Sequence, residues 1–160
     1  MSKYRTAIYA GTFDPFTNGH ENILNRSLKL FDQVVVLIAK SPSKRPLFSV
    51  EQRLEMLTEC FKEEPRIQVD CWDGLVVDYA KKNKIGTLVR GLRPTGDFES
   101  EFQMASMNND LYPEIETCFL MTEGDYYFIS SSLIREVQAH ERSIEAYVPS
   151  GVYKWIQKNK

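Results

Sequence analysis

The sequence of 160 residues has little cysteine and no long apolar run, and each shortage argues against a class of protein. Cys60, Cys71 and Cys118 are widely spaced, with no CxxC pair and no Cys/His cluster. A zinc site or a disulfide framework is therefore not expected. The first residues lack the apolar core of a signal peptide, and no stretch approaches the ~20 apolar residues of a membrane span. We expect a cytoplasmic protein that does not bind membranes.

The sequence also lacks a surplus of positive charge. Its 20 Lys and Arg residues stand against 22 Asp and Glu residues, giving a formal net charge of -2. A general nucleic-acid binder would carry a basic surplus, so a nucleic-acid partner is not expected. An anionic ligand would have to be held by a few placed cations. Length and composition predict a single globular domain over residues 1–160.

Strand-like and helix-like segments alternate along the chain. Five β-prone runs are expected at Arg5–Ala10, Gln33–Lys40, Arg66–Trp72, Thr87–Arg90 and Thr117–Thr122. The helices are expected from Asn18 as N-cap, from Ser49 to about Glu63, and over Leu75–Asn83, Phe98–Leu111, Ser131–His140 and the segment after Pro149. This alternation predicts an α/β fold with a doubly wound, five-stranded parallel sheet. Ligands bind such sheets at the carboxyl ends of the strands, so the following loops should carry the chemistry.

The first of these loops reads GTFDPFTNGH and ends at His20. It is neither a P-loop, since GKS and GKT are absent, nor a GxGxxG dinucleotide motif. His20 is expected in the first turn of a helix, beside unpaired N–H groups and the positive end of the helix dipole. Such a position suits a phosphate, with the imidazole as a hydrogen-bond donor. Taken alone, a Gly-His pair at a helix start is more often a histidine that only caps or packs.

The last loop reads YYFISSSLIR, in which three serines enter a helix. One serine suffices to cap a helix, so the additional hydroxyls suggest a phosphate site. With SPSKRPLFS and VRGLRPTGDFESEFQMASMN, these two loops resemble bacterial phosphopantetheine adenylyltransferases. These enzymes belong to the nucleotidyltransferase superfamily with the (H/T)xGH motif. The resemblance covers essentially the whole chain and implies a Rossmann-like nucleotidyltransferase fold.

The resemblance also implies roles for individual residues. His20 would stabilise the transition state, Lys44 would reach the phosphates, and Arg90 would hold the phosphopantetheine. The implied ATP contacts are Thr12, Phe13, His20, Gly91, Leu92, Arg93, Glu101, Tyr126, Tyr127, Phe128, Ile129, Ser130, Ser131 and Ser132. The implied acceptor contacts are Thr12, Lys44, Leu75, Val76, Arg90, Met104 and Asn108.

The resemblance further implies Mg²⁺ carried by the ATP phosphates, a homohexamer and feedback by coenzyme A. The sequence departs from the family pattern at Ser100, often a tyrosine, and at Pro94–Gly96, which affects the expected shape of the adenine side. On the helix Phe98–Leu111, we expect Phe98, Phe102 and Ala105 to face the core. A second apolar face with Met104, Met107 and Leu111 indicates a ligand wall or a subunit contact.

The resemblance implies reversible transfer of the adenylyl group of ATP to the phosphate of 4′-phosphopantetheine, and the chemistry of the residues agrees with this reaction. A phosphomonoester is mostly dianionic at pH 7, because its second pKa is about 6, so it needs no general base. The sequence correspondingly offers no Ser-His-Asp or Cys-His arrangement. Two alternatives remain open at this stage: a related transferase acting on nicotinate mononucleotide or glycerol phosphate, and a nucleotide-binding regulatory module without turnover.

Overall fold

A computed structural model describes residues 5–40, 46–94 and 97–159. In chain order, the elements are β1 (Thr6–Gly11), α1 (Asn18–Leu30), β2 (Gln33–Ala39), α2 (Val50–Phe61), β3 (Ile67–Trp72), α3 (Val76–Asn83), β4 (Thr87–Leu92), α4 (Asp97–Leu111), β5 (Glu116–Met121), α5 (Ser131–Ala139) and α6 (Ser150–Lys158). Short 3₁₀ turns lie at Gly124–Tyr126 and Glu145–Tyr147. The predicted elements are therefore confirmed, with ends shifted by one or two residues.

The five strands form one parallel sheet in the order β3-β2-β1-β4-β5. β1 pairs with β2 on one side and with β4 on the other, so the direction of winding reverses between β1 and β4. The predicted doubly wound parallel sheet is confirmed. The carboxyl ends of β1 and β4 form the topological switch point, where ligands bind in folds of this kind.

Both faces of the central strands are buried. Ala7 and Tyr9 of β1 pack into one apolar cluster with α1, α2, α5 and α6. Ile8 and Ala10 pack into a second cluster, with α3, on the opposite face. Burial on both faces explains why β2 is an almost unbroken apolar run rather than an alternating one.

Two helix starts were predicted from capping residues, and one prediction was wrong. α1 is capped by Thr17 rather than by Asn18, because the Thr17 hydroxyl accepts from the His20 amide. At α2, the predicted capping box is confirmed, with Ser49 and Gln52 each bonding the other's backbone.

β4 continues through Gly91, where a Cβ would lie only 3.1 Å from Cγ1 of Ile23. A side chain there would require the Ile23 side chain to shift by a few tenths of an ångström.

The prediction that Phe98 and Phe102 form helix core was wrong. Their side chains are 59% and 58% exposed, and the two rings stack on each other at 5.9 Å between centroids. The partly buried positions of α4 are instead Glu101, Ala105 and Asn108. Hydrophobic periodicity favoured the wrong face because the Glu101 carboxylate has a cationic partner inside, which allows a charged residue to face inward.

Over the three described ranges, no helix has the length and apolar character required to cross a membrane.

Candidate active site

A cavity of about 300 Å³ opens at the carboxyl ends of β1 and β4. It brings together side chains from the first loop, β4, α4 and the start of α5. Of the residues predicted from the sequence, those that line it are Thr12, Phe13, His20, Arg90, Gly91, Arg93, Glu101, Tyr126, Ile129, Ser130, Ser131 and Ser132. Segments up to 120 residues apart in the sequence thus meet at the switch point.

The first loop folds back over the end of β1. Phe13 adopts a left-handed backbone, with φ of 48°. Its ring lies so close to Gly11 that a Cβ there would approach the ring to 2.8 Å. Glycine is therefore required at the end of β1. The same ring contacts the His20 imidazole edge-on, with centroids 5.2 Å apart, and Phe16 lies at 5.3 Å from the imidazole.

His20 is both a capping residue and a cavity residue. Its Nδ1 accepts a hydrogen bond from the backbone N–H of Thr17 at 3.0 Å. Because a backbone N–H can only donate, Nδ1 carries no proton, and the proton of the neutral ring is on Nε2. Burial lowers the pKa of His20 to about 4, with Arg93 and Arg90 contributing to the same direction. At neutral pH His20 is therefore an uncharged donor with a fixed tautomer.

Arg90 is held in place by two elements. Its Nε and Nη2 donate to the two oxygens of Glu101 at 2.7 and 2.5 Å, and its Nη1 donates to the Ala10 carbonyl at 2.7 Å. A bidentate pair of this kind fixes the plane of the guanidinium group. β1, β4 and α4 consequently meet at Arg90 on one wall of the cavity.

The serines at the start of α5 have distinct partners. Ser130 is the N-cap and accepts from the Leu133 amide. Ser131 donates to the Pro15 carbonyl at 2.9 Å, which joins α5 to the first loop. Ser132 accepts from Nη2 of Arg135 at 3.1 Å. Capping thus accounts for the Ser130 hydroxyl, the Ser131 hydroxyl ties α5 to the first loop, and the Ser132 hydroxyl binds Arg135 within α5 itself.

Several predicted residues lie elsewhere. Lys44 is outside the described residues, as are two residues of the Pro94–Gly96 stretch, Thr95 and Gly96. The predicted residues that are described but do not line the cavity are Leu75, Val76, Leu92, Met104, Asn108, Tyr127 and Phe128. Met104, Leu75 and Phe128 are exposed.

The cavity also contains residues that sequence reasoning did not select. These are Tyr9, Ala10, Gly11, Thr17, Gly19, Ile23, Thr122 and Arg135. Arg135 ends the ISSSLIR stretch, so its motif was a usable signal. Ile23 and Thr122 carried no signal, because a helix face and a strand end become walls of the cavity only through the packing of α1 against β4 and β5.

Two features of the site bear on its chemistry. Among the residues that the structure describes, the cavity lining includes Arg90, Arg93 and Arg135. Across residues 5–40, 46–94 and 97–159, no group of three or more His, Cys, Asp or Glu side chains is placed to hold a metal ion. The three arginines, with the hydroxyls and backbone N–H groups beside them, suit the site to an anionic ligand.

Comparison with known proteins agrees with this chemistry. The family model described as cytidylyltransferase-like matches residues 8–137. The chain is 47% identical to the phosphopantetheine adenylyltransferase of Anaeromyxobacter sp. (strain K), covering 96% of this chain and 94% of the relative. It is 48% identical to that of Carboxydothermus hydrogenoformans, over 92% of this chain and 91% of the relative. It is 47% identical to that of Alkaliphilus oremlandii, over 95% of this chain and 97% of the relative. By both the family model and these relatives, the chain belongs to the cytidylyltransferase-like family and, within it, to the phosphopantetheine adenylyltransferases.

Proposed function

We propose that this enzyme transfers the adenylyl group of ATP to the phosphate of 4′-phosphopantetheine, giving dephospho-coenzyme A and pyrophosphate in a reversible reaction. One observation carries the proposal: His20, Arg90 and Arg93 line the same cavity at the switch point as the serines at the start of α5. Membership of the phosphopantetheine adenylyltransferases supports the choice of acceptor.

The transfer is proposed to be a direct displacement. An oxygen of the acceptor phosphate attacks the α-phosphorus of ATP and forms the new P–O bond. The bond from the α-phosphorus to the bridging oxygen breaks, and its electron pair leaves with pyrophosphate. Because the acceptor is already a dianion near pH 7, the protein has to supply orientation and charge stabilisation rather than a base.

His20 is proposed as the donor to the α-phosphate in the transition state. Its neutral ring presents Nε2–H, because Nδ1 is occupied by the Thr17 amide. A neutral donor with a fixed orientation needs no reorganisation as charge develops on the phosphate oxygens. Arg93 and the backbone N–H groups at the start of α5 are proposed to bind the phosphates of ATP. Lys44, from the loop after β2, is proposed as a further phosphate contact.

Arg90 is proposed to hold the acceptor. The Glu101 carboxylate neutralises part of its charge and fixes its plane, so Arg90 is pre-organised before the ligand arrives. The predicted contact of Glu101 with ATP remains a proposal beside this one. Leu75, Val76, Met104 and Asn108 are proposed to contact the pantetheine arm beyond the cavity, since an extended arm exceeds a space of about 300 Å³.

Mg²⁺ is proposed to arrive with ATP. The described residues contain no acidic cluster for it, and this ion commonly keeps several waters and is held largely by substrate phosphates. When bound, it would neutralise charge on the phosphates and on the leaving pyrophosphate. Withdrawal of Mg²⁺ with excess EDTA should abolish turnover and leave the melting temperature of the ligand-free protein unchanged. A falling melting temperature under EDTA would contradict a substrate-borne ion.

Assembly into a homohexamer is proposed from the family resemblance together with the exposed apolar surface of α4. Phe98, Phe102, Met104, Met107 and Leu111 are all at least 45% exposed, and Met121 at the end of β5 is also exposed. So many exposed large apolar side chains on one helix are unusual on a monomer and are typical of a subunit contact. A cytoplasmic location and feedback inhibition by coenzyme A, which contains the product's phosphopantetheine arm, also belong to this proposal.

The decisive experiment is pyrophosphate release with ATP and a panel of acceptors. We expect release with 4′-phosphopantetheine and none with nicotinate mononucleotide or glycerol 3-phosphate. Release with one of the other two acceptors alone would replace the proposed acceptor. Binding of ATP with no release for any acceptor would favour a regulatory module.

A further inference from the structure

Two buried charged residues, Asp14 and Arg53, lie behind the wall of the active-site cavity. They are 3% and 4% exposed, respectively, and neither lines the cavity. Burial of a charge costs free energy unless hydrogen bonds or a charge partner compensate for it. Neither residue is in contact with the cavity, so the proposed reaction leaves both without a role.

The carboxylate of Asp14 binds the backbone that leads into α2. Its Oδ2 accepts from the Leu47 amide at 2.7 Å, and its Oδ1 accepts from the Phe48 amide at 2.9 Å. A guanidinium nitrogen of Arg135, on α5, lies 3.7 Å from the same carboxylate and donates to the Asp14 carbonyl at 2.6 Å. Asp14 belongs to the first loop and thus joins that loop to two other elements.

Arg53 binds the carbonyl groups of the same backbone segment. Its Nε donates to the carbonyls of Phe48 and Ser49 at 3.1 and 3.2 Å. Its Nη1 donates to the carbonyl of Thr12 at 2.5 Å. The N–H groups of Leu47 and Phe48 are therefore bound by Asp14, while the carbonyls of Phe48 and Ser49 are bound by Arg53. We call this pair of charged residues the latch.

The bond to Thr12 connects the latch to the reaction site. The peptide group between Thr12 and Phe13 is planar, and in a trans peptide the C=O and N–H groups point in opposite directions. With the Thr12 carbonyl directed at Arg53, the Phe13 N–H points to the side away from Arg53. Thr12 and Phe13 both line the cavity, and a backbone N–H at this position suits a phosphate oxygen.

We propose that Asp14 and Arg53 are positioning residues for adenylyl transfer, which act as one unit by fixing the Thr12–Phe13 peptide against the cavity. The inference rests on the proposed function. Without the latch, the first loop can turn this peptide away from the phosphates, and a misplacement of about 1 Å can cost 10²-fold in rate. The latch therefore contributes to kcat although neither side chain touches a ligand.

The test uses Arg53→Lys, Asp14→Asn and the double variant. Lysine keeps the charge but has no planar fork to reach Thr12 and Phe48 together, and asparagine keeps one acceptor of the two. Each single variant should lower kcat about tenfold to 10²-fold with KM values within threefold. The double variant should be no more than about threefold worse than the poorer single variant, because one unit is lost only once.

Matched controls separate positioning from loss of stability. Arg66→Lys changes a guanidinium-to-carbonyl bond from the residue before β3 to Leu28. Asp70→Asn changes a carboxylate that accepts from the Cys71 amide and the Tyr79 hydroxyl. Neither residue lines the cavity. All rates are measured at a temperature at least about 15 °C below the melting temperature of the variant itself, so that the unfolded fraction stays small in every assay. The controls should keep kcat within twofold.

A spectroscopic readout completes the test. In protein labelled with ¹⁵N-phenylalanine, ATP should shift the Phe13 amide signal of the parent, and this shift should be lost in Asp14→Asn. The proposal would be overturned if the losses of kcat in the two single variants multiplied in the double variant. It would also be overturned if the single variants had a lowered melting temperature but kept kcat within twofold of the parent. If Arg53→Lys does not fold, Asp14→Asn decides by kcat and the amide shift. A parent without pyrophosphate release would count against the proposed function, while the amide shift would still test the latch.

Discussion

His20 offers the sharpest test of the mechanism, because the structure gives its imidazole two separable tasks. Nδ1 accepts from the Thr17 amide and completes the capping box of α1, while Nε2–H is the proposed donor to the transferring phosphate. His20→Ala removes both tasks at once. His20→Gln removes the imidazole but retains a side chain that closes capping boxes at this helix position, as Gln52 does at the start of α2.

The two losses have different magnitudes. A donor that acts only in the transition state is worth about 10²–10³-fold in kcat, or about 3–4 kcal/mol. An amide of Thr17 left without its partner costs about 1–2 kcal/mol of folding free energy, at the lower end for a group near a water-accessible cavity. For a domain of this size, that corresponds to a fall in melting temperature of roughly 2–8 °C.

The assay combines pyrophosphate release with thermal unfolding. His20→Ala should lose about 10²–10³-fold in kcat, with little change in either KM, and should melt several degrees lower. His20→Gln should recover most of the melting temperature and none of the rate. His140→Ala is the control, since His140 is the other histidine and is exposed at the end of α5.

The reasoning would be refuted by a His20→Gln variant that regains both stability and kcat to within threefold of the parent. The histidine would then serve the helix and not the phosphate. A variant with unchanged kcat and a tenfold higher KM for ATP would make His20 a ground-state binding residue instead.

Three further predictions follow from the same geometry. The imidazole of His20 should titrate near pH 4 by NMR. Because this folded-state pKa lies below the unfolded value of about 6.5, the unfolded chain takes up the proton first as the pH falls. The free energy of unfolding should therefore decrease as the pH drops from about 7 to 4, and it should decrease less in His20→Ala. Titration near 6.5 would contradict the buried neutral ring. Transfer from ATP with a chiral α-thiophosphate should proceed with inversion, and net retention would indicate an adenylylated enzyme. Light scattering should show a hexamer, and Phe102→Glu should dissociate it, since a charge on the exposed α4 face opposes apolar burial. The control Gln103→Glu, at an exposed polar position of the same helix, should leave the hexamer intact. A parent protein with a mass of 18.6 kDa in solution would exclude assembly.

Short-range patterns determined much of this protein without coordinates. The alternation of apolar runs with helical spacing predicted the five strands and six helices, because burial on both faces of a parallel sheet demands such runs. The Ser49–Gln52 capping box was readable since its two bonds span three residues. The loops GTFDPFTNGH and ISSSLIR indicated the superfamily, and together with SPSKRPLFS and VRGLRPTGDFESEFQMASMN they indicated the family. Because both loops follow strands of one parallel sheet, they also predicted that His20 and Ser130–Ser132 lie at the same edge of it.

Only the tertiary structure decided how distant residues meet. It turned Glu101 inward on α4, against the apolar pattern of Phe98 and Phe102, because Arg90 of another element supplies the charge partner. It also gave Asp14 and Arg53 their partners, which are backbone N–H and carbonyl groups up to 41 residues away. A backbone group looks the same at every position of a sequence, so no pattern of side chains announces which of them a buried charge will bind.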